Sequence, residues 1–216
     1  MIVPGEIDIS FLKRFRSLIL KHAVKNKFII ICGGGSIARK YQTAAREIAE
    51  VDKDELDWVG ITATKLNTQL VKSIFGKFAC KDIISDPTKK IDAKKIKENV
   101  MLASGWKPGW STDYDSILIA EQTGAETVIN LTNVDYVYDK DPRKYRDAKP
   151  IRKISWKDFR ALVGGEWKPG LNLPFDPIAA KEAEKSKIKV AIINGNNLKN
   201  LENIFKEKEF IGTQIV

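Results

Sequence analysis

Three stretches of this 216-residue chain carry residue types suited to binding phosphates and nucleotides, and each follows a short apolar run. The first is Gly33-Gly34-Gly35-Ser36-Ile37-Ala38-Arg39. Glycines let backbone N–H groups approach an anion closely, and a helix opening at Ser36 adds about half a positive charge at its N-terminus. Arg39, one turn on, can fork onto phosphate oxygens. The P-loop and dinucleotide-binding patterns do not fit, because no Gly-Lys-Ser/Thr follows and no third spaced glycine is present. The second stretch is Gly105-Trp106-Lys107-Pro108-Gly109-Trp110-Ser111-Thr112-Asp113. Ser111 and Thr112 can donate hydroxyl hydrogen bonds or cap a helix, and Asp113 suits a helix N-terminus electrostatically. Asp115, two residues on, should point elsewhere on that helix. The third stretch, Thr132-Asn133-Val134-Asp135-Tyr136-Val137-Tyr138-Asp139-Lys140-Asp141-Pro142, mixes polar groups with aromatic rings and could hold an adenine and its ribose. Each stretch also has a plain structural alternative: a tight turn, a helix cap and a polar surface loop.

The elements that would position these loops are legible in the periodicity. Phe11, Leu12, Phe15, Leu18 and Ile19 predict an amphipathic helix over 8–25, capped by Asp8 or Ser10. The β-branched run 27–32 predicts a buried strand, followed by helices over 36–50 and 56–75. Strands are expected at 78–84 and 99–104, with a short helix over 93–98 between them, then a helix at 112–123 and a strand at 127–131. Residues 135–173 form the most irregular stretch and are expected as a long loop. Helix 177–185, strand 189–193, helix 198–205 and strand 213–216 complete the chain. This alternation argues for an α/β fold, a three-layer α/β/α sandwich with a largely parallel central sheet. All three loops then start at the carboxyl ends of strands, where such sheets bind ligands.

Composition narrows the function classes. A charged fraction of 30% with 43% hydrophobic residues excludes a disordered chain. The longest apolar run, Phe28–Cys32, is too short to cross a membrane. The first residues, Met-Ile-Val-Pro-Gly-Glu, do not read as a secretory signal. Cys32 and Cys80 have no paired spacing, so both are expected as buried small hydrophobes in a reducing cytoplasm. The net charge of +9 invites a nucleic-acid partner, but the lysines are scattered and many alternate with acids, as in Lys206-Glu207-Lys208-Glu209. The run Lys89–Lys97 reads as the solvated face of a short helix. Nucleic acid is therefore not the expected partner, and the positive field suits a small anionic substrate.

Taken together, the loops resemble the amino-acid-kinase superfamily, and within it the archaeal-type uridylate kinases. Gly33-Gly34-Gly35 with Ala38-Arg39-Lys40-Tyr41 is similar to that family's second glycine loop. Pro108-Gly109 with Ser111-Thr112-Asp113 is similar to its Pro-Gly-x-Thr-Thr-Asp signature. Thr132-Asn133-Val134-Asp135 with Val137-Tyr138 and Asp141-Pro142 is similar to its nucleotide loop, and Phe175-Asp176-Pro177-Ile178-Ala179-Ala180-Lys181 to a late helix start. The resemblance implies transfer of the ATP γ-phosphate to UMP, with Mg²⁺ carried by the ATP phosphates and no metal held by the protein. It implies one kinase domain, with an acceptor part over about 1–112 and an ATP part over about 113–216. It assigns Gly34 to the UMP phosphate, Asp57 to the UMP ribose, and Trp106, Lys107, Pro108, Gly109, Trp110, Ser111 and Thr112 to the UMP pocket. Gly35 and Arg39 would face the transferring phosphate and ATP. Thr132, Asn133, Tyr138 and Asp141 would hold ATP, and Asp113 would organise the reaction centre. Phosphoryl transfer asks mainly for positioning and charge cancellation, which fits a chain with a single histidine, His22.

The departures from the family pattern carry expectations of their own. Relatives begin with a strand and a glycine loop that would precede Met1, so the chain as written is expected to be weak or inactive. Either the true start lies upstream or the chain is a degenerate member. Tyr136 stands where the family has glycine, which predicts a strained backbone there. Trp106 and Trp110 replace smaller side chains and either stack on the base or narrow the pocket, so another small phosphate acceptor is an alternative to UMP. Isopentenyl phosphate kinases use a pocket histidine, and His22 lies on the first helix instead; glutamate-type acceptors find no special support. A non-catalytic nucleotide-binding regulator is the other alternative; it would bind ATP or UTP without making UDP. Homo-oligomers, from dimer to hexamer, are implied, with the Phe11, Phe15, Leu18 and Ile19 stripe facing either a partner or the core.

Overall fold

The stripe of Phe11, Leu12, Phe15, Leu18 and Ile19 forms the buried face of α1 (Ile9–His22). Asp8 caps the helix, accepting a hydrogen bond from the Phe11 N–H at 2.8 Å. The stripe therefore belongs to the chain's own core and is not left open for a partner. These and the following features come from a computed structural model, which describes residues 1–140, 142, 144–164 and 174–216. The chain divides into two compact units, Met1–Asp115 and Ser116–Val216.

In the first unit β1 (Phe28–Ile31), α2 (Gly35–Ile48), α3 (Lys53–Phe75), β2 (Ala79–Ile84) and β3 (Val100–Ala103) follow α1. The strands pair in parallel in the order β1-β3-β2. β3 is central and buried throughout, as its unbroken Val-Met-Leu-Ala run requires. β1 was expected to be buried, yet all four of its residues are only half-buried, because it is an edge of this sheet. The long helix α3 starts at Asp52, whose side chain accepts from the Glu55 N–H, and stops at Gly76 with φ +55. Leu56, Ile61, Val71 and Phe75 line its core face. Cys32 is fully buried, and burial pushes its thiol up to about 11, so it stays protonated; Cys80 is half-exposed, contrary to expectation.

The expected helix over 93–98 does not form. Only turns are present there, and the Lys27 ammonium donates to the carbonyls of Ala93 and Ile96 at 2.6 and 2.5 Å. Six residues are too few to recover the cost of helix nucleation. The basic run 89–97 is thus a pinned loop.

α4 (Thr112–Thr123) begins in the first unit and continues into the second. There follow β4 (Thr127–Thr132), β5 (Val137–Tyr138), β6 (Pro150–Ile151), β7 (Lys153–Ile154), α5 (Trp156–Val163), α6 (Pro177–Ser186), β8 (Lys189–Asn194), α7 (Leu198–Phe205) and β9 (Thr213–Ile215). The order β4-β8-β9-β7 makes a four-stranded sheet, with β8–β9 antiparallel and the other two pairs parallel. β5 and β6 pair as a small antiparallel ribbon. It joins the sheet through the Thr213 hydroxyl, which accepts from the Val137 N–H at 2.8 Å and donates to the Ile151 carbonyl. The expected loop over 135–173 therefore contains α5 and three two-residue strands among its described residues, elements too short to show a period. Trp156, Phe159 and Phe175 pack together, and the Trp156 indole N–H donates to the Ile188 carbonyl at 3.1 Å. The α/β class with largely parallel pairing is as expected.

Candidate active site

In the first unit, parallel register sets two of the loops side by side. Ile31 of β1 lies opposite Ala103 of β3, so the chain leaves both strands at the same edge of the sheet. After β1, Gly34 caps α2 and Gly35 is its first residue. Gly35 has φ +63, and a Cβ there would sit 2.9 Å from the Val3 carbonyl oxygen. A Cβ on Gly34 would meet the Ala38 Cβ at 2.5 Å. Glycine is required at both for steric reasons, and the same geometry presents a helix N-terminus to an anion. The Asn67 amide of α3 donates to the carbonyls of Gly33 and Gly34 at 2.8 and 3.1 Å. The Val3 carbonyl accepts the Ser36 N–H, and the Gly5 carbonyl accepts from the Ser36 hydroxyl. Arg39 stands exposed one turn along α2.

After β3, residues 105–111 are held by side-chain acceptors. The Thr64 hydroxyl accepts from the Gly105 N–H at 2.8 Å. Asp115 accepts from the Trp106 N–H at 3.1 Å, and Asp57 accepts from the Gly109 N–H at 2.9 Å. Gly109 has φ +84, so glycine is needed in this turn as well. The Ser111 hydroxyl accepts from the Tyr114 N–H at 3.1 Å, as a helix cap does; Thr112 then opens α4 and Asp113 lies in its first turn. Trp110 stacks on Tyr114 with centroids 4.2 Å apart, Trp106 tilts against Trp110 at 6.2 Å, and the Lys107 ammonium sits 4.0 Å from the Trp106 ring centre. The structure thus brings Asp57 and the 105–110 loop into direct contact, and packs the glycine loop against α3, which carries Asp57.

Asp115, expected to point elsewhere on the helix, instead turns back onto the 105–111 loop at the Trp106 amide. It is 0% exposed, and one carboxylate oxygen has no partner among the described residues. Burial, with Asp113 nearby adding in the same direction, pushes its carboxyl up to about 7. The available signal was an acid separated by only Ser116 from the apolar run Ile117-Leu118-Ile119. Thr64 and Asn67, three residues apart on the buried face of α3, were missed for the same reason: their partners lie more than thirty residues away.

In the second unit, Thr132 of β4 lies opposite Asn194 of β8, so the loops after both strands leave one edge. The Thr132 hydroxyl bonds the Val134 backbone at 3.1 Å, and its carbonyl accepts from the Gly195 N–H. The Asn194 amide donates to Asp135 at 3.0 Å, a contact with no sequence signal. Asn133 is exposed, and Tyr138 is half-buried with Tyr136 edge-on at 6.4 Å. Tyr136 is not among the positive-φ residues, so it shows none of the strain expected of a glycine position. Asp141 lies outside the described residues. Asp176 caps α6 through the Ile178 N–H, and Phe175 is core, so that motif is a helix start.

The Amino acid kinase family model matches residues 3–194 of this chain. The chain belongs to the amino acid kinase family. This amino acid kinase is 31% identical over 215 residues to a uridylate kinase of Methanospirillum hungatei, covering 99% of the chain and 90% of that relative. It is 34% identical over 198 residues to a uridylate kinase of Sulfurisphaera tokodaii, covering 88% and 87%. The solved structure of uridylate kinase from Archaeoglobus fulgidus superposes with a TM-score of 0.82 at 31% identity, covering 99% of this chain and 95% of that one. UMP kinase from Ureaplasma parvum, at 21% identity and a TM-score of 0.76, shares the fold.

Proposed function

We propose that this amino acid kinase transfers the γ-phosphoryl group of ATP to UMP, giving ADP and UDP. The observation that carries this reading is the pair of loops leaving β1 and β3 at one sheet edge, with Asp57 bonded to the second. Near-full-length similarity to uridylate kinases supports UMP as the acceptor. The bond between the γ-phosphorus and its bridging oxygen breaks, and a UMP phosphate oxygen forms the new bond to phosphorus. No covalent enzyme intermediate is needed.

On this reading the first unit binds the acceptor. The α2 N-terminus at Gly34 and Gly35 receives phosphate, helped by Arg39. Asp57 and the loop from Trp106 to Thr112 receive the ribose and base. The second unit binds ATP through Thr132, Asn133, Tyr138 and Asp141. Asp113, at the start of α4, orients groups around the reacting phosphates. Among the described residues no three His, Cys, Asp or Glu side chains gather into a metal cage. The resemblance assigns Mg²⁺ to the ATP phosphates, where it would neutralise charge. Homo-oligomer formation, a cytoplasmic location and a place in pyrimidine nucleotide synthesis belong to the same proposal and rest on the resemblance. Among the described residues no helix is long and apolar enough to cross a membrane.

A second reading, a kinase for another small phosphate acceptor, is favoured by the Trp106–Trp110–Tyr114 ring stack in the acceptor loop. The test is UDP formation from ATP, Mg²⁺ and UMP, compared with CMP, AMP and inorganic phosphate as acceptors, with Asp113→Asn as control. Turnover with UMP that the control loses supports the first reading. Turnover confined to another acceptor replaces it with the second. Nucleotide binding without product from any acceptor overturns both and leaves a regulator.

A further inference from the structure

The first turn of α4 grips the acceptor loop twice. Tyr114 stacks on Trp110 at 4.2 Å, and the next residue, Asp115, accepts the Trp106 N–H at 3.1 Å. Asp113 immediately precedes both. The Asp115 carboxyl is 0% exposed and its second oxygen has no hydrogen-bond partner among the described residues. A buried carboxyl with one orphan oxygen is a costly way to satisfy one backbone amide, since a serine or asparagine would do so with less desolvation. An apolar residue would remove that cost altogether but would leave the Trp106 N–H without its acceptor. The cost is sustained at one place, the first amide of a loop whose two tryptophans lean on each other and on α4.

We propose that Asp115 is a positioning residue of the acceptor site: its grip on the Trp106 amide holds the Trp106–Trp110–Tyr114 stack in one geometry and so sets acceptor affinity. It acts through the loop and touches no reacting atom. Burial pushes this carboxyl's pKa up to about 7, and that shift has the same origin as the proposal, its removal from water. The inference rests on the reading of this loop as the acceptor site.

The experiment uses the full chain and two variants, Asp115→Val and Asp115→Asn. Valine fills the space without an acceptor; asparagine keeps a carbonyl oxygen for the Trp106 amide. With UMP as acceptor, the valine variant should raise KM for UMP about tenfold, the scale of one lost hydrogen bond to a charged group. Its kcat should stay within about threefold and its KM for ATP should not move, because a positioning role changes ground-state acceptor binding and not the transfer step. The near-ultraviolet circular dichroism of the ring stack should weaken with valine and recover with asparagine. The valine variant should melt no lower than the parent. An Asp115 serving stability alone would instead lower the melting temperature and leave KM for UMP unchanged, which overturns the proposal. Asparagine losing as much affinity as valine overturns the hydrogen-bond account. Should valine fail to fold, amide exchange at Trp106 in the parent decides: exchange at the rate of an unprotected amide overturns the clamp. A parent chain that makes no UDP from UMP overturns the acceptor reading and the affinity claim with it, while the dichroism comparison still decides the clamp.

Discussion

Replacing Asp115 by asparagine should remove a pH-dependent loss of stability. The carboxyl is ordinarily half-ionised near pH 3.8, and in the folded chain burial pushes that to about 7. Between those values the folded state holds a proton that the unfolded state has released. Stability therefore falls as pH rises through that window, by up to about 1.4 kcal/mol per pH unit, and levels off above about pH 7. Over about three pH units the loss reaches at most about 4 kcal/mol. Asparagine carries no such penalty. The variant should gain on the parent steadily from about pH 4 to about pH 7 and hold that gain above it. For a chain of this size each kcal/mol moves the melting temperature by about 2–4 °C, so the gap should widen by roughly 8–16 °C at full effect. Thermal unfolding followed by far-ultraviolet circular dichroism in buffers across that range reads it directly. A gap that stays constant with pH refutes the reasoning, because it means the carboxyl titrates in the folded chain as it does in the unfolded one.

Three further perturbations follow from the geometry. Asp57→Ala removes the acceptor of the Gly109 N–H at 2.9 Å and should raise KM for UMP about tenfold, the scale of a charge-assisted hydrogen bond, in initial-rate kinetics; an unchanged KM would remove Asp57 from the acceptor site. Gly35→Ala forces a side chain into φ +63 and to 2.9 Å from the Val3 carbonyl, so it should cost about 1–3 kcal/mol in urea unfolding and weaken phosphate-bearing substrates. Tyr136→Gly relieves no backbone strain, since Tyr136 lies outside the positive-φ region. It should lower stability by about 0.5–1 kcal/mol through added chain entropy and leave KM for ATP unimproved, whereas tighter ATP binding would show that the tyrosine obstructs the loop.

What the sequence determined by itself was local. The α1 stripe, the cap at Asp8, the helix opening at Thr112 and the strand-then-loop order of all three candidate stretches were legible, because a helical period or a cap is written within a few neighbouring residues. Glycines 34 and 35 were legible as a close-approach turn. Family resemblance then supplied roles that spacing alone left open.

Only the tertiary structure decided the rest. It turned the apolar stripe of α1 inward, made β1 an edge strand, and replaced the expected helix over 93–98 with a loop held by Lys27. It also showed that the 135–173 stretch contains α5, a helix of eight residues whose pattern is too brief to stand out. The supports of the 105–111 loop, Thr64, Asp57 and Asp115, come from 41, 52 and 9 residues away along the chain. No local pattern encodes such pairings. A carboxylate's meaning depends on whether folding takes it out of water and which amide it then meets, and that is set by how helices and strands pack, not by the residues beside it.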